Sequence, residues 1–162
     1  MSNSFFGFHK SNKDDLERFV GLDEEKQIED ETRSDENSNS VQLLRRKLDL
    51  LVRTGALLMA SNADCARIMR NMKRCEAYLG LPEEYIHISL NFNIIMVNLS
   101  DETHSFSKYQ RVDSHCVEFT VISKISKMLW TAIREDWSLD RYEAELESLK
   151  HVHKQYSPWM IA

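Results

Sequence analysis

Residues 85–112 read YIHISLNFNIIMVNLSDETHSFSKYQRV, and this stretch decides the fold. Residues 85–90 alternate apolar and polar side chains, which is the pattern of a half-buried strand. Residues 93–99 are mostly apolar and β-branched, which predicts a more buried strand, and residues 104–112 alternate again. The expected inward-facing side chains are Ile86, Ile88, Leu90, Phe106, Tyr109 and Val112. Because the connections are short, the three strands predict an antiparallel meander.

Helical patterns flank this meander on both sides. From Val41, apolar residues recur at spacings of three and four, as on one face of a helix. A second helix is expected from Asp64 to Leu79, with Ser61, Asn62 or Asp64 as alternative N-caps and Gly80 as its stop. Beyond the strands, similar patterns predict a helix over 114–135 and a final helix capped by Ser138. The expected fold is α+β, with two helices, the meander and two more helices in two layers.

Charge divides the chain into two parts. The net charge is −5, but residues 1–40 hold 5 Lys and Arg against 11 Asp and Glu, whereas residues 41–162 hold 16 against 15. We therefore expect an acidic, flexible tail over 1–40 and one folded domain over 41–162. The charge of this nearly neutral domain does not favour nucleic acid, whose backbone demands a clustered basic surface, and we expect no nucleic-acid partner.

Motifs for catalysis or cofactor binding are missing from the sequence. Its four glycines form no nucleotide-binding loop, and there is no Gly-x-Ser-x-Gly elbow. The His residues lack zinc-ligand spacing. The three cysteines, Cys65, Cys75 and Cys116, give an odd count that favours a reducing compartment over a disulfide framework. We expect no cofactor, no metal and no catalytic residue, and hence no enzyme.

Several collinear stretches carry a family resemblance. They are residues 57–68 (LLMASNADCARI), 78–81 (YLGL), 110–112 (QRV), 122–127 (ISKISK), 138–149 and 156–159 (YSPW). Over residues 42–162 the chain resembles the soluble N-terminal domain of the threonine/serine exporter (ThrE-type) family. Some positions depart from the family pattern: Asn62 replaces a usual Gly, Cys65 a usual Thr and Ser123 a usual Asn.

The resemblance implies a functional setting. The full protein would export small polar metabolites such as threonine, serine or a dicarboxylate across the cell (inner) membrane. This domain would be cytoplasmic, with a gating, assembly or sensing role. Its partners would be a membrane-spanning part of the same or another protein, a small polar metabolite and, as a further option, copies of itself. Two alternatives stay open: a stand-alone subunit that docks on a separate membrane protein, and a small hydrolase-like enzyme.

The resemblance also selects candidate polar positions, for ligand contact or for structure. These are Ser61, Asn62, Asp64, Arg67, Arg111 and Ser126. A guanidinium group suits a carboxylate ligand, but Arg67 and Arg111 could equally tie the fold together through Asp64 and Asp113. Tyr156 and Trp159 are the expected membrane-proximal residues, because Tyr and Trp concentrate at membrane interfaces. They suggest the approach to a first membrane span, with a frayed C-terminus as the alternative.

Overall fold

A computed structural model of the protein describes residues 36–102 and 105–156. The chain divides into two compact units, residues 1–44 and 45–162. Residues 36–60 are helical and are called α1. The helix thus includes residues 36–40, which composition had assigned to the tail, and Ser40 Oγ donates a 2.8 Å hydrogen bond to the Asn37 carbonyl within it. The rest of the expected tail lies outside the described residues.

The second unit has the expected α+β order. After α1 come α2 (Cys65–Leu79), a short 3₁₀ helix (Glu83–Tyr85), β1 (Ile86–Leu90), β2 (Ile94–Ser100), β3 (Ser105–Arg111), α3 (Phe119–Glu135) and α4 (Leu139–Tyr156). The sheet order is β1-β2-β3, and both pairings are antiparallel. The α+β fold and the meander are therefore confirmed. No helix in the described ranges combines the length and apolar composition needed to cross a membrane.

Helix ends follow the local chemistry of their residues. Asp64 is the N-cap of α2, since its Oδ1 accepts a 2.9 Å bond from the Arg67 amide. Ser138 caps α4 through a 3.3 Å bond from the Arg141 amide. Gly80 ends α2 in the left-handed conformation at φ +64°. Of the three alternative N-caps for α2, the structure thus selects Asp64.

The core of the second unit packs tightly between the helices and β2. Ile95 and Val97 are fully buried. Gly55 permits a close approach, because an added Cβ would lie 2.7 Å from Met72 Sδ and 3.0 Å from Ile95 Cδ1. The other fully enclosed large side chains are Tyr142, Leu48, Leu50, Leu51, Leu58, Ile68, Met72, Ile125, Leu129 and Val52.

A polar cluster lies inside this core. Tyr142 Oη is 2.7 Å from Thr54 Oγ1 and 3.4 Å from Cys75 Sγ. Thr54 also donates to the Leu50 carbonyl at 2.8 Å. The Tyr142 ring stacks on Tyr78 with centroids 4.8 Å apart. Because each of these polar groups has a partner, the cluster can be buried at little cost.

Three expectations, two about side chains and one about a helix start, are wrong. Tyr109 is 71% exposed, because in a strand it lies on the face opposite Phe106, three residues earlier. The third helix begins at Phe119 rather than near residue 114. The segment before it is extended because the Cys116 and Glu118 amides bond to the carbonyls of Ala60 and Ser61 at the end of α1. Val117, expected in the apolar stripe of that helix, is consequently 46% exposed.

Candidate functional site

One cavity lies between α1, the end of β3 and α4. We call it the α1–α4 pocket, and its volume is about 220 Å³. Ala56 and Leu57 of α1 contribute apolar wall, and Arg111 lines it where β3 ends. The polar lining residues are Arg53, Gln110, Arg111, Asp113, Ser114, Glu147, Lys150, His153 and Lys154. A pocket of this size, with charged groups of both signs, can hold a small polar metabolite.

Some of the pocket's cations are already paired. Arg53 donates to Glu143 at 2.8 Å and also pairs with Glu147. Arg111 Nε lies 2.7 Å from Asp113 Oδ1. In the part of the chain that the structure describes, Lys150 and Lys154 make no ion pair. The pocket therefore keeps surplus positive charge, which favours an anionic group on a ligand.

His153 is the most buried polar residue that lines this pocket. Its side chain is 8% exposed, and its Nδ1 has no hydrogen-bond partner among the described residues. Buried polar atoms are normally paired, so an unpaired imidazole nitrogen at a pocket wall is unusual. The Nδ1 atom of His153, near the C-terminal end of α4, is therefore left with its hydrogen-bonding capacity unused among the described residues.

A second cavity lies between α2 and α3, and we call it the basic cleft. Its volume is about 390 Å³. Its lining consists of Arg67, Arg70, Asn71 and Arg74 from α2 and of Ile122, Ser123, Ser126 and Trp130 from α3. None of these described lining residues is acidic. Three guanidinium groups beside two hydroxyls form a surface suited to oxyanions.

Arg74 organises the inner part of the basic cleft. Its Nη1 donates to Asn71 Oδ1 at 3.4 Å and to Ser126 Oγ at 3.3 Å. Its guanidinium carbon lies 4.8 Å from the centroid of the Trp130 ring, within the range of a cation–π contact. Arg67 pairs with Asp64, with Nε 3.8 Å from Oδ2. The contacts of Arg74 thus fix its side chain within the cleft, whereas Arg67 and Arg70 are more exposed.

The α1–α2 turn carries the other predicted polar positions. Ser61 is fully buried, its Oγ has no partner among the described residues, and its carbonyl accepts a 3.2 Å bond from the Glu118 amide. Asn62 is left-handed at φ +60°, in the place where the resemblance expects Gly. Together with the N-cap Asp64, these residues shape the turn and line neither cavity.

The structure brings together only some of the predicted site residues. Arg67 and Ser126 both line the basic cleft, whereas Arg111 lines the α1–α4 pocket. Both ion pairs considered for the arginines, Arg67–Asp64 and Arg111–Asp113, are present. The side chain of Tyr156, and all of Trp159, lie outside what the structure describes.

Sequence reasoning missed several lining residues. In the α1–α4 pocket these are Arg53, Glu147, Lys150, His153 and Lys154, and in the basic cleft Arg70, Arg74 and Trp130. A signal existed in α2, where positions 67, 70, 71 and 74 have the spacing of one helix face. No comparable signal joins Arg53 to residues some 90 positions later.

Among the described residues, the buried cysteine is a poor nucleophile. Burial raises the pKa of the Cys75 thiol to about 11, and its neighbours Tyr142 and Thr54 are not bases. Cys65, by contrast, is exposed. In the ranges that the structure describes, no three His, Cys, Asp or Glu side chains are grouped to hold a metal ion.

A family model matches residues 49–162, which is more than half of the chain. The description of that model, ThrE, is "Putative threonine/serine exporter". The chain belongs to the ThrE family. The match begins within α1 and includes the sheet, α2 and α3, and both cavities are lined entirely by residues inside it. The resemblance is thereby confirmed. Comparison with curated proteins and with solved structures gives no match.

Proposed function

We propose that this ThrE-family chain is the cytoplasmic, regulatory part of an exporter of threonine, serine or a small dicarboxylate. The family match over residues 49–162 carries the proposal. No helix that the structure describes is long and apolar enough to cross a membrane, and the proposal assigns the translocation path to membrane-spanning helices that are not among the described residues. The role of this part is to sense the exported metabolite and to gate export.

The α1–α4 pocket is the sensing site in this proposal. Its two unpaired lysines, Lys150 and Lys154, would attract the carboxylate that all three metabolites share. Arg111 could exchange its exposed partner Asp113 for the ligand, because that ion pair is surface-exposed and therefore weak. Glu147, which pairs with Arg53, lies on the wall and would also attract the ammonium group of threonine or serine.

The two alternatives receive less support. A hydrolase needs an activated nucleophile, and the raised pKa of Cys75 makes that thiol a poor one. A stand-alone docking subunit would need a surface that contacts another membrane protein, and the family match gives no reason to separate the two parts. The exporter proposal accounts for the family match and for a metabolite-sized pocket together.

The export function is tested with cells that carry or lack the complete gene. Cells are loaded with labelled threonine, serine or succinate, and efflux is measured after transfer to label-free medium. We expect deletion to slow efflux and the complete gene to restore it. Equal efflux from both strains, for threonine, serine and succinate alike, would refute the export role.

The sensing role is tested separately by calorimetric titration of the 162-residue protein with L-threonine, L-serine and succinate. We expect binding that weakens at least about tenfold in Lys150→Gln, since an anion loses a charged partner worth about 1.4 kcal/mol or more. Lys127→Gln, which removes the same charge from α3 outside the pocket, is the matched control. If neither variant changes affinity, the α1–α4 pocket is not the sensor.

A further inference from the structure

We propose that the α2–α3 face of this protein docks on a membrane surface that carries anionic phospholipids. The face consists of the basic cleft and an aromatic rim, defined as Phe92 and Phe119. Arginines of the cleft would bind headgroup phosphates while the rim enters the interfacial region. This goes beyond the sensing and export roles, because it concerns how the protein is held against the bilayer.

Charge is concentrated on these two helices. The sequences of α2 and α3 hold seven basic and two acidic residues, in a chain whose net charge is −5. One of the acids, Glu76, is buried and lies 3.4 Å from Lys73 Nζ. Juxtaposed basic side chains of this kind are attracted to anionic leaflets by about 1 kcal/mol for each residue near the surface.

Large apolar side chains are exposed on α3 and in the connection between β1 and β2. Phe92 is 90% exposed, Phe119 is 70% exposed and Trp130 is 56% exposed. Positions 119, 123, 126 and 130 follow helical spacing, so Phe119 shares the face of α3 that lines the basic cleft. Single exposed apolar residues need no explanation, but exposed aromatics beside a cluster of arginines form the pattern of an interfacial membrane contact.

A chain of contacts places Phe92 near the turn at which α2 and α3 begin. The Phe92 ring lies 5.7 Å from the His115 ring, and His115 Nδ1 is 3.1 Å from the Met59 carbonyl at the end of α1. The Glu118 amide, one residue before α3, bonds to the Ser61 carbonyl. Because α2 starts just after that turn, both α2 and α3 begin at this end and direct their positive dipole ends towards it.

The aromatic rim favours a membrane over a soluble anion or a nucleic acid. A free phosphate would use the arginines and leave Phe92 and Phe119 in water. A duplex would be held mainly by phosphate contacts and offers no apolar region for the rim. A bilayer interface accommodates arginine and exposed aromatic side chains together.

The test uses the 162-residue protein in co-sedimentation with vesicles of phosphatidylcholine alone or mixed with phosphatidylglycerol. We expect strong partitioning only into the mixed vesicles, and a decline as salt is added. Arg67→Gln/Arg70→Gln should weaken partitioning about 25-fold, or about fivefold for each arginine. Phe119→Ser should weaken it as well, because the rim loses apolar area.

The matched control is Arg45→Gln/Arg141→Gln, which removes the same charge elsewhere. The Arg141 side chain is 55% exposed, close to the 45% of Arg67 in the test variant. Circular dichroism confirms that each variant is folded. Equal losses in both double variants would mean unspecific charge attraction and would overturn the proposal. So would binding that only Trp159→Ser abolishes, or tight binding of inorganic phosphate or a short DNA duplex without vesicle binding.

Discussion

The helix pairs α1–α4 and α2–α3 use arginine in opposite ways. In α1–α4, Arg46 pairs with Asp140 and Glu143, and Arg53 pairs with Glu143 and Glu147. In α2–α3, Arg70 makes no ion pair within the described part, and Arg74 meets only Asn71, Ser126 and the Trp130 ring. The arginines of α1 are thus paired with acidic residues of α4. The surface between α2 and α3 keeps unpaired basic side chains.

This difference comes from the partner helix rather than from the arginine-bearing one. Helices α1 and α2 both carry several Arg and Lys. The sequence of α4 supplies acidic residues at 140, 143 and 147, spaced to face α1, whereas α3 supplies serines and a tryptophan at the corresponding contacts. Paired arginines therefore fix helix packing, and unpaired ones remain available to anionic groups outside the protein.

The largest loss of stability should come from a substitution at the buried centre of the α1–α4 helix pair. Tyr142→Ala removes a fully buried ring and should lower the free energy of unfolding by about 3–5 kcal/mol. Tyr142→Phe should cost only about 1 kcal/mol, because Thr54 still donates to the Leu50 carbonyl. Urea denaturation monitored by circular dichroism gives both values. Equal losses would show that the hydroxyl network, not the packing, holds this centre.

The loss of stability on removing an arginine should be larger in the α1–α4 pair than in the α2–α3 pair, although smaller than the loss in Tyr142→Ala. Arg53→Ala removes a partly buried hub of ion pairs and should cost about 1–2 kcal/mol of stability. Arg70→Ala should change stability by less than about 0.5 kcal/mol, because its side chain is exposed and makes no ion pair in the described part. Urea midpoints of the two variants measure the contrast. If Arg70→Ala is as costly as Arg53→Ala, the division into structural and available arginines is wrong.

The pH dependence of stability should differ in sign between two carboxyl groups. Arg53 and then Arg46 lower the pKa of Glu143, so its stabilisation is present above the unfolded pKa near 4.5 and is lost as the pH falls. Burial raises the pKa of Glu76 against the opposing effect of Lys73, so stability falls as the pH rises from about 4.5 through its folded pKa.

Two isosteric variants test these signs. At pH 7, Glu143→Gln should be less stable than the parent by up to about 1 kcal/mol, because the group is 38% exposed and its ion pairs are partly screened. Glu76→Gln should be more stable than the parent at pH 7, and its advantage should shrink at acid pH. Thermal melts from pH 3 to 8 measure both, and a Glu76→Gln variant destabilised at pH 7 would contradict the assignment.

The order of elements was predictable because each carries a local periodic signal. Alternation marked the strands, and caps such as Asp64 and Ser138 marked helix starts. The errors arose where a tertiary contact overrode the local pattern. Residues before Phe119 look helical, but their amides bond to the end of α1 instead. Tyr109 was assigned to the inward set although its odd spacing from Phe106 places the two on opposite faces.

The candidate sites were less predictable, because both depend on helix partners. Composition gave a nearly neutral domain and no sign of a basic surface, since acidic residues elsewhere in the domain, including those of α4, balance the basic ones of α2 and α3 in the sum. Only the fold separates them in space. Arg67 and Ser126 were selected through the family resemblance, but their shared cleft required the packing of α2 on α3.

The smallest expected effect concerns the turn that joins α1 to α2. Asn62 adopts φ +60° as the second residue after α1, with its amide bonded to the Met59 carbonyl at 2.9 Å. Glycine adopts this conformation without steric cost, so Asn62→Gly should raise stability by about 0.5 kcal/mol. Asn62→Ala should lower it by a similar amount, because alanine tolerates the left-handed region less well than asparagine. Chemical denaturation of the two variants in parallel measures both shifts. If both variants lose stability, the Asn62 side chain has a role in the turn beyond its backbone conformation.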